Sequence, residues 1–264
     1  MLTVVRRQMK VSLLTIKYAI MRELLNKATF ISNVIFMILN NGAMIIQWIV
    51  LYSLHENIGG YTFKQVLLLW GLAASTYGFS HFFFKEAYNL SNTINSGKLD
   101  AYLVQPKNVL LSTISASIST SALGDFLYGI IMLFIYGISF SNVTLFILFS
   151  ICGGLVLTSI AVILGSLSFW IGNSDVLAEK GNSMMVNFAT YPDGIFKGIV
   201  KILLFTVIPI GITTYIPVDI ITTFNIGKLL IVILATILIL MLAYIIFYKG
   251  LKRYSSSNLM SARI

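Results

Sequence analysis

Of 264 residues, 58% are hydrophobic, 13% aromatic and only 10% charged, and the formal net charge is +9. A chain this apolar is excluded from the soluble domains and reads as a polytopic membrane protein. The basic excess has its origin in membrane topology rather than nucleic-acid binding, since no interleaved basic and aromatic patch is present, and the single cysteine, Cys152, permits no internal disulfide.

Residues 1–27 carry Arg6, Arg7, Lys10, Lys17, Arg22 and Lys27, while Leu2, Val5, Met9, Leu13, Ile16 and Ile20 recur at helical spacing. The pattern predicts a basic amphipathic helix on the inner membrane surface. It does not fit a cleaved signal peptide, because the apolar core starts late and no small-residue cleavage pattern follows it. Six apolar stretches then approach the roughly twenty residues a crossing needs: 30–54, 63–84, 120–140, 143–171, 199–216 and 229–247. The expected fold is therefore an all-α polytopic membrane protein, a single domain over 1–264 with six transmembrane helices.

Three intervening segments carry their own signals. Residues 85–108 form the best-defined polar element, with a break at Gly97 and a stop at Pro106. Gly172 to Lys197 mixes Val176, Leu177, Met184, Met185 and Phe188 with polar residues and ends in Tyr191, Pro192, Asp193 and Gly194; this pattern predicts an interfacial helix closed by a turn. Pro209, Gly211 and Pro217 interrupt and follow the fifth stretch, predicting a re-entrant or outer helical segment beside a wet route. With the N-terminus inside, this arrangement leaves only Lys64 and Lys228 outside, against sixteen basic residues inside, so both termini are expected in the cytoplasm.

Catalytic chemistry is nearly absent. His55 and His81 have no companions at metal-ligand spacing, and neither a phosphate loop, a nucleophile elbow nor an H-E-x-x-H helix occurs. Polar residues within the spans are few: Asn33, Asn40, Asn41 and Gln47 in the first, and Asp125 in the third. Amides at such positions join helices or face a polar path, and an intramembrane carboxylate is a functional candidate. Asn40, Asn41, Gln47, Asp125, Pro209 and Pro217 are accordingly the expected path residues.

The run Ile94, Gly97, Lys98, Leu99, Asp100, Leu103, Pro106 resembles the I-x-x-G-x-L-D-x-x-L-x-x-P loop of one group of ATP-binding-cassette type-2 permeases, and Gly250 to Ser256 is similar to that group's basic G-x-x-R-Y-x-S ending. The Tyr191, Pro192, Ile195, Phe196 turn and the Ile208, Pro209, Pro217 pattern are also similar. The resemblance implies an exporter half that pairs with a second permease subunit in the plasma membrane. Separate cytoplasmic ATPase subunits would hold the ATP and Mg, so no cofactor is expected on this chain. It further implies that residues 85–108 form a coupling helix. Leu90, Ile94 and Leu99 would anchor a groove of the ATPase around Gly97, with Glu86, Lys98 and Asp100 supplying orienting charge. Substrates of such permeases are drugs, peptides, lipids and other amphiphiles. The rival reading, a secondary transporter or channel-like protein without an ATPase, is disfavoured by the scarcity of ion-coupling carboxylates and of any inverted repeat.

Overall fold

The computed structural model describes residues 14–172 and 174–255. The first half of the basic N-terminal segment, and Ser256 and Arg263 of the tail, lie outside the described residues; residues 14–23 are helical. Asn26 then caps a long helix, α1 (Lys27–Leu54), its side chain accepting from the Thr29 amide at 3.1 Å. At the far end of α1 a tight loop leads into α2 (Phe63–Phe84), whose Thr62 amide donates to Gln65 Oε1 at 2.8 Å. A 3₁₀ turn (Lys85–Asn89) and three short helices follow: α3 (Leu90–Asn95), α4 (Asp100–Leu103) and α5 (Val109–Ile114). Next come α6 (Ser121–Tyr136), α7 (Phe140–Ser166), α8 (Ser168–Ile171), α9 (Asp175–Ala189), α10 (Gly198–Thr206), a π-helical turn (Gly211–Tyr215), α11 (Ile216–Thr222) and α12 (Ile226–Leu251).

Among the described residues, four helical stretches are long and apolar enough to cross a membrane: α1, α2 with its extension to Asn95, α7 with its extension to Ile171, and α12. At 16 residues, α6 is about 24 Å long, short of a hydrocarbon core of about 30 Å. Its C-terminus is set by Gly137 at φ 142°, a conformation that a residue with a Cβ rarely adopts.

Helix α2 is the centre of the bundle. Val66, Leu68, Leu69 and Leu72 are fully buried, and small residues bring its neighbours close. A Cβ on Gly129 of α6 would lie 1.9 Å from Ser75 Oγ and 2.4 Å from the Gly71 carbonyl; one on Gly154 of α7 would lie 2.5 Å from the Phe79 ring. Such backbone proximity is how helices associate where lipid removes the hydrophobic drive between them. The largest core cluster joins α1, α2, α6, α7, α9 and the 204–221 segment, and a second one ties α3 and α5 to α7 and α12. By contrast, α1 and α12 present wide apolar faces outward, including Phe36, Leu39, Leu234, Leu238 and Met241.

The bundle has two ends. At the loop end, Ser91 of α3, Ser168 of α8 and Ser174 meet in a buried hydroxyl cluster, and the Tyr254 hydroxyl donates to Asp100 at 2.8 Å. At the distal end, the Tyr61 hydroxyl donates to Asp193 at 3.0 Å, Lys201 pairs with the same carboxylate at 2.7 Å, and Lys228 pairs with Asp219.

These contacts correct the sequence reading between Gly172 and Ile216. That reading kept Gly172 to Lys197 at one end as an interfacial helix and made 199–216 the fifth crossing. Instead α9 starts beside Ser91 at the loop end and finishes at the distal end, where the Phe188 carbonyl accepts from Tyr215 at 2.8 Å and Tyr191 packs on Trp48. Residues 198–222 form a broken pair of helices bent by 74°, starting from Asp193 and returning to Asp219 at the same distal end. The break at Ile208–Pro209 divides 199–216 between two helices. Consequently Lys197 and Lys201 belong to the distal end with Lys64 and Lys228.

Candidate functional site

Helices α1, α2, α6 and α9 and the π-helical turn enclose a cleft of about 710 Å³. From α1 come Asn40, Asn41 and Gln47; from α6, Asp125; from α2, Thr76 and Tyr77; from the π-helical turn, Thr213 and Thr214; and from the end of α9, Asn187 with the adjoining Thr190. Methionines 37, 44 and 185 and the rings of Trp70 and Tyr191 supply its apolar walls. The structure thus brings together four of the six expected path residues. Pro209 and Pro217 are elsewhere, buried in the distal broken pair. Pro209 ends a helix there and Pro217 sits in the first turn of α11, where a missing N–H costs least.

Two side-chain bonds hold α1 on α6. Asn33 Nδ2 donates to Thr120 Oγ1 at 2.9 Å, and Asn41 Nδ2 to Asp125 Oδ1 at 2.7 Å. Between them, Gly124 lets the helices approach so closely that a Cβ there would sit 2.5 Å from the Val34 carbonyl. Asp125 is 4% exposed and its Oδ2 is buried without a hydrogen-bond partner.

Sequence reasoning missed the contribution of α9. Its buried stripe, Ala178, Met185 and Ala189 with Gly181 against Leu164, faces the bundle, while Glu179, Lys180, Ser183 and Asn187 are exposed. A stripe of small residues at spacings of three and four was the available signal, and polar residues between them hid it from a hydropathy scan.

At the loop end the expected partner-facing residues separate into two groups. Leu90, Ile94 and Leu99 are buried at 0%, 6% and 0% exposure, in the cluster with Ala161, Val162, Ala243 and Phe247. They anchor the loop to its own bundle and do not face a partner. Gly97, at φ 72°, turns the chain between α3 and α4 so that Leu99 can enter this cluster. Glu86 accepts from Ser117 at 2.5 Å and Asn89 at 3.2 Å, and Asp100 accepts from Tyr254; both carboxylates are thus engaged within the chain. Burial, and then the Asp100 hydrogen bond, hold the Tyr254 phenol above its ordinary pKa. Asn92, Asn95, Lys98, Ala101, Leu103 and Val104 form the exposed surface, and Val104 is 84% exposed. At the opposite end, burial and then the Asp193 carboxylate hold the Tyr61 phenol up in the same way.

Among the described residues no group of three or more histidines, cysteines or carboxylates could hold a metal. An apolar helical bundle, with a polar cleft inside it and a polar, ordered loop at one end, defines a multi-pass membrane transport protein. The chain belongs to the ABC-2 family transporter proteins, the family's profile matching residues 14–258. It is a permease, the transport subunit of an ABC transporter. Comparison with curated proteins gives no match.

Proposed function

We propose that this permease forms half of the membrane part of an ATP-driven exporter, lining a translocation path with a second permease subunit, alike or different. In this reading the chain crosses the plasma membrane six times, by α1, α2, α6, α7, α9 and α12, with 198–222 a re-entrant pair at the outer face. Both termini and residues 85–119 lie in the cytoplasm, where Lys85, Lys98, Lys107, Lys249, Lys252 and Arg253 concentrate positive charge. Separate cytoplasmic ATPase subunits dock on the exposed face of α3 and α4, centred on Lys98, Leu103 and Val104, and supply the ATP and Mg. The substrate is an amphiphile.

The observation that carries the proposal is the polar cleft. Four polar side chains of α1 and α6, joined by Asn187 and Thr190 at the end of α9, line it within an otherwise apolar bundle; lipid contact would leave them unsatisfied, so they favour a water-filled path or a partner subunit. The test is purification of the full chain from its native membranes. Recovery of an ATPase with a phosphate loop, whose ATP hydrolysis rises with added amphiphile, is the expected result. Transport by the chain alone in vesicles, driven by an ion gradient without ATP, would overturn it.

A further inference from the structure

We infer that the cleft is a recognition site for the cationic head of an organic amphiphile, with the Asp125 carboxylate as its counter-ion and Asn41 as the residue that positions it. This deepens the exporter reading and rests on the cleft being the path, but the site itself is a property of this chain. Three observations carry it. First, among the described residues the cleft lining holds one carboxylate and no lysine, arginine or histidine, so none of them neutralises Asp125 there. Second, Asn41 occupies Oδ1 at 2.7 Å while Oδ2 is buried without a partner. If Asp125 served only to fasten α1 to α6, Asn41 would already satisfy that role; a buried carboxylate oxygen left open carries a large penalty that a bound cation removes. Third, the remaining walls suit the body of such a molecule. Trp70, Tyr77 and Tyr191 place aromatic rings in the cleft wall, the residue type that attracts a cation, and Met37, Met44 and Met185 add polarisable surface that adapts to varied shapes. One carboxylate balances one positive charge, and the same field repels an anion of equal size.

The opposing ions tetraphenylphosphonium and tetraphenylborate have nearly the same shape, so they separate charge from hydrophobic fit. Their binding is measured by calorimetry on the full chain in nanodiscs, with empty nanodiscs as the blank and without ATP or a partner. The wild-type chain should prefer the phosphonium. Asp125→Asn keeps an acceptor for Asn41 and should weaken the phosphonium by about tenfold to a hundredfold, the range for losing a charged partner, while leaving the borate no weaker. Adding Gln47→Glu to Asp125→Asn restores a carboxylate elsewhere on the cleft wall and should recover part of the cation preference. Equal phosphonium binding by wild type and Asp125→Asn overturns the proposal. Loss of both ions together without recovery in the double variant does so too, by assigning Asp125 to packing. If the cation preference is found but no ATPase accompanies the chain, the exporter reading fails while the site stands; the reverse result sinks the site alone.

Discussion

Leu99 and Val104 stand five residues apart in one loop, and their substitutions should fail in different ways. Leu99 is fully buried against Leu90, Leu110 and the α7 and α12 side chains. Truncation to alanine removes a transfer contribution of roughly 1.5–3 kcal/mol and leaves a cavity, so Leu99→Ala should cost about 2–5 kcal/mol of stability. Val104 is 84% exposed, so in the isolated chain Val104→Asp should cost almost nothing, surface changes staying within about 0.5 kcal/mol. If an ATPase covers this surface, the same change places an unpaired carboxylate in a partly desolvated contact. Association should then weaken by about 1–3 kcal/mol, or roughly tenfold to a hundredfold. The assay pairs thermal unfolding of the detergent-solubilised chain with co-purification of the ATPase. Leu99→Ala should lower the unfolding temperature, and Val104→Asp should leave it unchanged while losing the partner. Normal partner recovery by Val104→Asp, together with a Leu103→Asp variant, would refute the assignment of this surface to docking. An unaltered unfolding temperature in Leu99→Ala would refute the inward placement of the loop.

Two further outcomes test the bundle itself. In a Cys152→Ser background, cysteine at Asn57 and at Lys197 should both react with an impermeant thiol reagent from outside intact cells and cysteine at Asn95 should not; protection of the Lys197 position would return α9 to an interfacial location. Gly129→Ala meets Ser75 Oγ at 1.9 Å and the Gly71 backbone at 2.4 Å, so it should cost at least the 1–3 kcal/mol of an overpacked core, seen as reduced folded yield. Gly42→Ala, with nothing within 4 Å, should leave the yield unchanged.

Hydropathy located α1, α2, α7 and α12 to within a few residues, because each is a long apolar run whose burial needs no knowledge of its neighbours. It failed between Gly172 and Ile216 for a physical reason. Helix α9 leaves polar residues exposed, and its passage between the two ends depends on its opposite, small-residue side packing on the bundle, which no window of one sequence reports. Residues 199–216 are apolar enough to cross, but the 74° bend at the Ile208–Pro209 break, with Asp193 and Asp219 lining one pocket, separates them from a single straight helix. The cleft was partly legible, since Asn40, Asn41, Gln47 and Asp125 were already conspicuous as polar groups inside apolar spans. The loop's apolar positions were legible as anchors. On sequence, Leu90, Ile94 and Leu99 read as anchors for an ATPase groove, and the placement of Ala161, Val162 and Phe247 around them assigns them to the chain's own bundle instead.

The loop end and the cleft are joined by one continuous element. Ser168 Oγ lies 2.5 Å from Ser91 Oγ and 2.7 Å from Ser174 Oγ, and Ser174 immediately precedes α9. This cluster binds the start of α3 to the base of α9, and the other end of α9 supplies Asn187 and Thr190 to the cleft wall. A helix of 15 residues spans about 22 Å and transmits displacement along its axis with little bending. The same helix is held against α7 by a stripe of small side chains, with Met185 the one large residue fully seated. A contact made of alanine and glycine resists sliding less than interdigitated leucines and phenylalanines do. Movement of α3 by a docked partner would therefore reach the cleft most directly through α9. Of the polar residues that kept this helix out of the hydropathy pattern, Asn187 lines the cleft beside Thr190, while Glu179, Lys180 and Ser183 are exposed outside it.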